Sequence, residues 1–275
     1  MTGDEAPVGL IAGRGELPIA LVEEAHRQGR RVVCVDFFEA DQHLQQVADM
    51  YYAVTLGDFG AIIQAFRRHG VREVFLAGKV DKLPGLRAAQ LDAYGESMVR
   101  GTRDHRDTSL VSTFLAFLRT SGFEIGHQER YLSHLIPEPG VLSPRVPSEA
   151  EAADIEAGFL YASQVAALDI GQAVAVRNGA VVAVEAAEGT DEMIRRAGTL
   201  TAGVVVVKVS RPRQDPRYDV PVIGPQTVLA LAAAKGTALA VEAGRTFLLE
   251  RDQVVAAAAD SGIALVAATA GTAIP

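Results

Sequence analysis

Short apolar runs alternate with helical patterns along most of the chain. Pro7-Val-Gly-Leu-Ile-Ala12 is an apolar run that stops at Gly13-Arg-Gly-Glu-Leu-Pro18. From Ile19 to Gln28 apolar residues recur at helical spacing. Gly29 ends that helix, and Arg31-Val-Val-Cys-Val-Asp36 predicts a second buried strand. The alternation continues with a strand over Tyr51–Thr55, a helix over Phe59–His69 closed by Gly70, and a strand over Glu73–Ala77. Strands alternating with helices predict a parallel sheet with right-handed crossovers. Gly78–Gly85 then reads as a loop beyond a strand's carboxyl end, followed by helical patterns over Leu86–Arg100 and Thr108–Ser121.

Pro137, Pro139, Pro144 and Pro147 fall within eleven positions. Proline blocks regular ladders and stiffens a chain, so residues 137–148 read as a linker between two domains. The first, residues 1–136, is a Rossmann-like parallel α/β domain, and the second, residues 149–275, a mixed α/β domain. The second opens with a helix over Glu149–Leu168. Apolar strands over Ala173–Arg177 and Ala180–Glu185 are joined by Asn178-Gly179, a type I′ hairpin signal. A short helix over Gly189–Gly198 follows, with Thr190 as its cap and Gly198 as its end. Val204–Val209 is another buried strand. It empties into the polar loop Ser210–Asp219, after which Pro225 opens a helix over Gln226–Lys235.

Composition narrows the classes. Of 275 residues 49% are apolar and 22% charged, enough for sizeable cores. Lys and Arg number 26 against 34 Asp and Glu, a net charge of −8 that disfavours nucleic acid as a partner. A single cysteine, Cys34 in an apolar run, excludes a disulfide framework and a cysteine zinc site, and reads as core. No apolar stretch reaches the roughly 18–20 residues of a membrane span, and Met1–Pro7 is acidic rather than signal-like, so the expected location is the cytoplasm.

The candidate chemistry lies where strands stop. Gly13-x-Gly15 after the first strand, with Asp36 ending the second, resembles a dinucleotide fingerprint, but Pro18 stands where the third glycine belongs. A phosphate-binding loop and a merely tight turn are both consistent with it. Lys79, at the carboxyl edge of the predicted sheet, is either a phosphate partner or a solvated loop lysine. The mixed-charge run Arg100–Asp107 reads as a turn with Asp107 capping a helix; a general base at His105 is the lesser reading.

The densest group is in the second half. Glu185 ends a strand, Glu188-Gly-Thr-Asp191 follows, and Lys208, Arg211, Arg213, Gln214, Asp215, Arg217 and Asp219 lie just beyond another strand. Grouped carboxylates suit a hard cation such as Mg²⁺, or Mn²⁺ on the same oxygens, and neighbouring Lys and Arg suit phosphate. A surface loop of mutually paired ions is the alternative. No Walker loop, nucleophile elbow or His-Glu-x-x-His helix occurs in the sequence.

Three blocks, Gly9–Pro18, Val184-Glu-Ala-Ala-Glu-Gly-Thr-Asp191 and Lys208 through Gln214-Asp-Pro-Arg-Tyr-Asp219 to Pro225, resemble the LpxI family in its alphaproteobacterial form. These are the UDP-2,3-diacylglucosamine pyrophosphatases of lipid A biosynthesis. The resemblance implies two domains with a linker, Mg²⁺ dependence, and hydrolysis of the UDP-sugar pyrophosphate to UMP and 2,3-diacylglucosamine 1-phosphate (lipid X). It also implies water attack on the sugar-side phosphorus and an essential aspartate at Asp219.

On this reading Asp219 and Asp191 hold the metal or orient water, Lys208 and Arg213 stabilise developing charge, and Gln214 aligns a phosphate oxygen. Gly13, Arg14, Gly15 and Lys79 receive the nucleotide end, with Glu188, Gly189, Thr190, Asp215 and Arg217 as further substrate contacts. An acyl tail of about ten methylenes leaves a bilayer at a cost near 8 kcal/mol, so an apolar cleft and transient inner-membrane contact are expected. A homodimer is also expected. The rival readings are an NAD-dependent oxidoreductase using Gly13, Gly15 and Asp36, and a non-catalytic nucleotide or lipid carrier.

Overall fold

A computed structural model of the chain describes residues 6–37, 41–55, 57–79, 91–96, 107–212, 214–269 and 271. It divides into two compact units: Met1–Ser133 with Pro216–Tyr218, and His134–Asp215 with Asp219–Pro275.

The first unit runs β1 (Val8–Ala12), α1 (Leu17–Arg27), β2 (Val32–Asp36), α2 (Gln42–Val47), β3 (Met50–Ala53), α3 (Phe59–Arg68), β4 (Glu73–Ala77), α4 (Asp107–Thr120), β5 (Glu124–Ile125) and α5 (Glu129–Leu132). Its sheet has the order β3-β2-β1-β4-β5 with every neighbouring pair parallel, as the alternating pattern predicts. β1 and β2 are buried along their whole length, because helices cover both faces of a parallel sheet. Phe59, Ile62 and Phe66 of α3 and Leu115 and Leu118 of α4 pack with Val33, Val35 and Val74. Pro18 sits in the first turn of α1, where the missing N–H has no intrahelical partner to lose.

α2 is an element that hydrophobic periodicity does not reveal. Only Leu44 is buried, and the helix starts because the Asp41 carboxylate accepts the N–H groups of His43 and Leu44. The helical pattern over Leu86–Arg100 lies outside the described residues except for 91–96, and His105 lies outside them entirely. Cys34 is fully buried, and burial together with the nearby Asp36 carboxylate pushes its thiol far above the ordinary range. It is a core residue.

The second unit contains β6 (Gly140–Val141), α6 (Glu149–Ala167), β7 (Ala173–Arg177), β8 (Ala180–Val184), α7 (Thr190–Leu200), β9 (Val205–Lys208), β10 (Val222–Ile223), α8 (Pro225–Ala233), β11 (Ala238–Glu242), β12 (Phe247–Leu248), α9 (Arg251–Asp260) and β13 (Ala264–Ala268). Its main sheet has the order β6-β13-β11-β9-β7-β8. β13, β11 and β9 are mutually parallel, whereas β6, β7 and β8 run antiparallel to their neighbours, so the sheet is mixed. Asn178 and Gly179 both have positive φ, the backbone of the predicted hairpin turn.

Two local expectations differ from the structure. The proline-rich stretch at 137–148 is built into the second unit rather than spanning as a linker. β6 pairs with β13, Leu142 N–H donates to Leu265 O at 2.8 Å, and Leu265 N–H donates to Ser143 Oγ at 2.8 Å. Prolines flank a two-residue edge strand there, where a missing donor costs no ladder bond. Gly198 does not end α7, which continues to Leu200. A Cβ at Gly198 would lie 2.6 Å from Ala234 Cβ, so the glycine permits close helix approach.

Arg145, from the same proline-rich stretch, is bonded at 2.7 Å to Glu151, which also closes a capping box with Ser148 at the start of α6. Burial raises the Glu151 carboxyl, but hydrogen bonds led by Arg145, with others from Ser148, outweigh it and hold the group at about 2. The unfolded chain titrates near 4.3, so the stability that Glu151 contributes is complete above that pH and lost as pH falls toward 2. Glu151→Gln is therefore expected to lower the unfolding free energy at pH 7 by about 2 kcal/mol. It should also flatten the loss of stability between about pH 4 and pH 2. Urea titrations followed by circular dichroism at each pH check both.

Candidate active site

Strand direction assembles the site. β7 lies between β8 and β9 and runs antiparallel to both, with Val174 opposite Val184 and Ala173 opposite Lys208. The start of β7 therefore meets the ends of β8 and β9 at one edge of the sheet. Gln172, Glu185 and Lys208 gather there. Gly171 permits the close pass: a Cβ at that position would lie 2.0 Å from Glu185 O.

α7 begins directly beyond β8. Gly189, with φ of +84°, is its N-cap, and Thr190 is its first helical residue rather than the expected cap. Thr190 donates its hydroxyl to Glu185 Oε1 at 2.8 Å and accepts Lys208 Nζ at 3.0 Å. Buried Lys208 also donates to Val222 O at 2.9 Å. The other Glu185 oxygen, Oε2, accepts Gln172 N–H at 3.0 Å.

The polar loop joins this network from the opposite side. Gln172 Nε2 donates to Gln214 Oε1 at 2.9 Å, and Arg211 N–H donates to the same oxygen at 2.7 Å. A backbone N–H can only meet an acceptor, so the orientation of the Gln214 amide is determined. Its Nε2 is buried with no hydrogen-bond acceptor among the described residues. Arg211 bridges Asp219 at 2.9 Å and Asp169 at 2.9 Å, and Asp219 N–H closes a turn on Asp215 O at 3.2 Å. Ser210 N–H donates to Glu242 Oε2 at 2.7 Å, anchoring the start of the loop to β11.

Thus Glu185, Thr190, Lys208, Arg211, Gln214 and Asp219, all singled out from sequence, belong to one hydrogen-bonded network, and Asp191 follows Thr190 on the first turn of α7. The Asp191 carboxylate makes no hydrogen bond or ion pair among the described residues. Glu188 instead pairs with Arg196, which holds its carboxyl below the usual range and also donates to Val184 O at 2.8 Å. Arg213 lies outside the described residues, and Arg217 groups with the first unit. Gln172 and Asp169 are the connecting residues that spacing alone does not reveal, and the links that Glu185 and Arg211 make emerge only in the fold. Gln172 sits before its strand, so only the antiparallel register shows that it faces Glu185.

In the first unit, Arg14 and Lys79 exchange backbone hydrogen bonds of 2.8 and 2.9 Å across the ends of β1 and β4. A Cβ at Gly13 would lie 2.7 Å from both Gly78 C and Lys79 O, so this glycine serves the contact between two loops. Gly15 has φ of +95° with open space beyond its Cα. Asp36, the acid of the dinucleotide reading, is buried and accepts the Tyr51 hydroxyl at 2.6 Å. Burial, then that bond, pushes the Tyr51 hydroxyl up. Asp36 is therefore engaged inside the unit rather than poised for a ribose.

Residues 7–135 match the LpxI N-terminal domain and residues 138–266 the LpxI C-terminal domain. The chain belongs to the LpxI family. It is 34% identical over 272 residues to the UDP-2,3-diacylglucosamine pyrophosphatase LpxI of Caulobacter vibrioides, covering 93% of this chain and 95% of that protein. It is on that ground a hydrolase. Solved structures match remotely. The N5-carboxyaminoimidazole ribonucleotide synthetase of Thermotoga maritima is 18% identical with a TM-score of 0.26, over 66% of this chain and 42% of that one. The biotin carboxylase subunit of pyruvate carboxylase is 12% identical with a TM-score of 0.26, over 61% and 34%. This chain spans less than half the length of either structure, and a likeness so slight bears on neither the fold nor the site.

Gly13→Ala is expected to destabilise the chain by about 2 kcal/mol, because the added methyl meets backbone that has no room to retreat. A fall of several degrees in the melting transition checks this, with Gly224→Ala, where the added methyl meets nothing within 4 Å at an ordinary φ of −133°, as the control.

Proposed function

We propose that this chain hydrolyses the pyrophosphate of UDP-2,3-diacylglucosamine to UMP and 2,3-diacylglucosamine 1-phosphate in lipid A biosynthesis. The observation that carries the reading is the Gln214 amide. Its oxygen is held by two donors, and its buried nitrogen lacks an acceptor among the described residues. A buried donor left unmatched costs stability, so it marks a place for an oxygen from outside the chain. With Lys208 in the same network, the missing oxygen belongs with an anion. A phosphate supplies both the oxygen and the charge.

Phosphoanhydride cleavage depends on positioning and charge neutralisation more than on covalent catalysis by the protein. Gln214 orients a phosphate oxygen. Lys208, held by Thr190 and the Val222 carbonyl, places its ammonium against the charge that develops as the bond breaks. Asp219, held by Arg211, orients the attacking water. Water adds to the sugar-side phosphorus, the bond from that phosphorus to the bridging oxygen breaks, and the bridging oxygen leaves with UMP. Arg213 assists in charge stabilisation.

The family also implies a divalent cation. No group of three or more His, Cys, Asp or Glu able to hold an ion occurs among the described residues, so an all-protein cage does not fit. One or two carboxylates completed by substrate oxygens do fit Mg²⁺, and Asp219 and Asp191 would hold it. Such an ion, Mg²⁺ or Mn²⁺, supplies charge neutralisation at the phosphates. Two acyl chains on the substrate require transient contact with a membrane surface, while no helix among the described residues is long and apolar enough to cross a membrane.

Purified chain with substrate and Mg²⁺ is expected to release UMP, measured by anion-exchange chromatography, and a chelator should abolish the release. Asp219→Asn should lower kcat at least about 100-fold, or about 2.7 kcal/mol, with its melting transition retained. In H₂¹⁸O, mass spectrometry should find the label in the sugar phosphate and not in UMP. Substantial UMP release by Asp219→Asn, or label in UMP, would overturn the corresponding step.

A further inference from the structure

We propose that Glu185 is the positioning residue of this site: one carboxylate sets Lys208 through Thr190 and Gln214 through Gln172, holding both groups in a single geometry. The inference rests on the pyrophosphatase reading above and adds to it a residue that never meets substrate.

Chemistry dictates the direction of every link. A carboxylate only accepts, so Thr190 must give its one hydroxyl proton to Glu185 Oε1. Its oxygen lone pairs are then turned toward Lys208, whose ammonium only donates. On the other side Oε2 accepts the Gln172 N–H, fixing the residue whose side chain orients Gln214. Glutamate is the residue that presents two acceptors at this reach. Glutamine has nearly the same shape but must turn an NH₂ group either at the Thr190 hydroxyl or at the Gln172 N–H. Turned at the Gln172 N–H, it sets donor against donor; turned at Thr190, it makes the hydroxyl accept from the amide as well as from Lys208, and the hydroxyl proton loses its acceptor.

The other acids around the site hold different segments. Glu188 pairs with Arg196 on α7, Glu242 accepts Ser210 N–H and pairs with Arg245, and Asp169 and Asp219 both pair with Arg211. Glu185 alone among these carboxylates accepts both from the start of α7 and from the residue preceding β7. Gly171 keeps it there, since any side chain at that position would displace the Glu185 backbone.

The experiment compares the full chain with Glu185→Gln, Lys208→Met and the double variant by UMP release under saturating and limiting substrate. Glu185→Gln is expected to lower kcat roughly 10- to 100-fold with KM within about threefold. In the Lys208→Met background the same change should cost at least about fivefold less, because the group it positions is gone. Amide hydrogen exchange across residues 210–219 should rise at least about tenfold in Glu185→Gln, reporting release of the loop. A kcat within threefold of wild type, or equal losses in both backgrounds with unchanged exchange, overturns the proposal. If Glu185→Gln loses its cooperative melting transition, Thr190→Val cuts the Lys208 link alone and must show the same non-additivity. A wild-type chain that releases no UMP overturns the pyrophosphatase reading instead, and the exchange measurement then decides the positioning by itself.

Discussion

The antiparallel insertion of β7 between β8 and β9 is the constraint on which the candidate site depends. In a purely parallel sheet the start of one strand and the ends of its neighbours lie at opposite edges. Here the reversal brings Gln172 beside Glu185 and Lys208, and the Asn178-Gly179 turn makes it possible by matching the twist of two antiparallel strands. Glu185 converts that geometry into a network. Both of its oxygens are engaged by donors from separate elements, so moving it disturbs α7 and the loop after β9 together.

The same economy appears at Arg211. Its guanidinium bridges Asp169, just past α6, to Asp219 at the end of the loop, while its backbone N–H fixes Gln214. A ten-residue polar loop carries a large entropy cost when ordered, and ionic contacts at its surface recover little of it. The partly buried contacts to Gln172, Glu242 and Asp169 give this loop a preferred conformation. That order matters to phosphate chemistry, in which donors already in place cost no reorganisation as the bond breaks.

The two units organise their strand ends differently. At the edge between β1 and β4, Gly13 and Gly78 allow backbone to pack on backbone, so a glycine that sequence pattern ties to a dinucleotide has a structural duty. Asp36, the partner in that pattern, is turned inward to Tyr51. Fingerprint glycines and an acid at a strand end are compatible with a parallel α/β unit that uses them for its own packing. In the second unit the polar groups at strand ends are bonded to one another, and the buried Gln214 amide nitrogen has no hydrogen-bond acceptor among the described residues.

Periodicity along the chain was enough to place β1, β2, β4, α1, α3, α6 and the β7–β8 hairpin, because each is long or carries its own turn chemistry. Hydrophobic runs and N-G signals are local, and local physics decides them. The motif blocks around Asp191 and Asp219 were legible for a similar reason: polar residues concentrated just past buried strands. Pairing was not legible. Nothing in the order of residues says that Gln172 faces Glu185, that Glu188 turns away to Arg196, that Gly198 lies inside a helix crossing, or that prolines 137–147 flank an edge strand. Each of these depends on which segment a backbone meets across the fold, and that choice is made by the whole sheet at once.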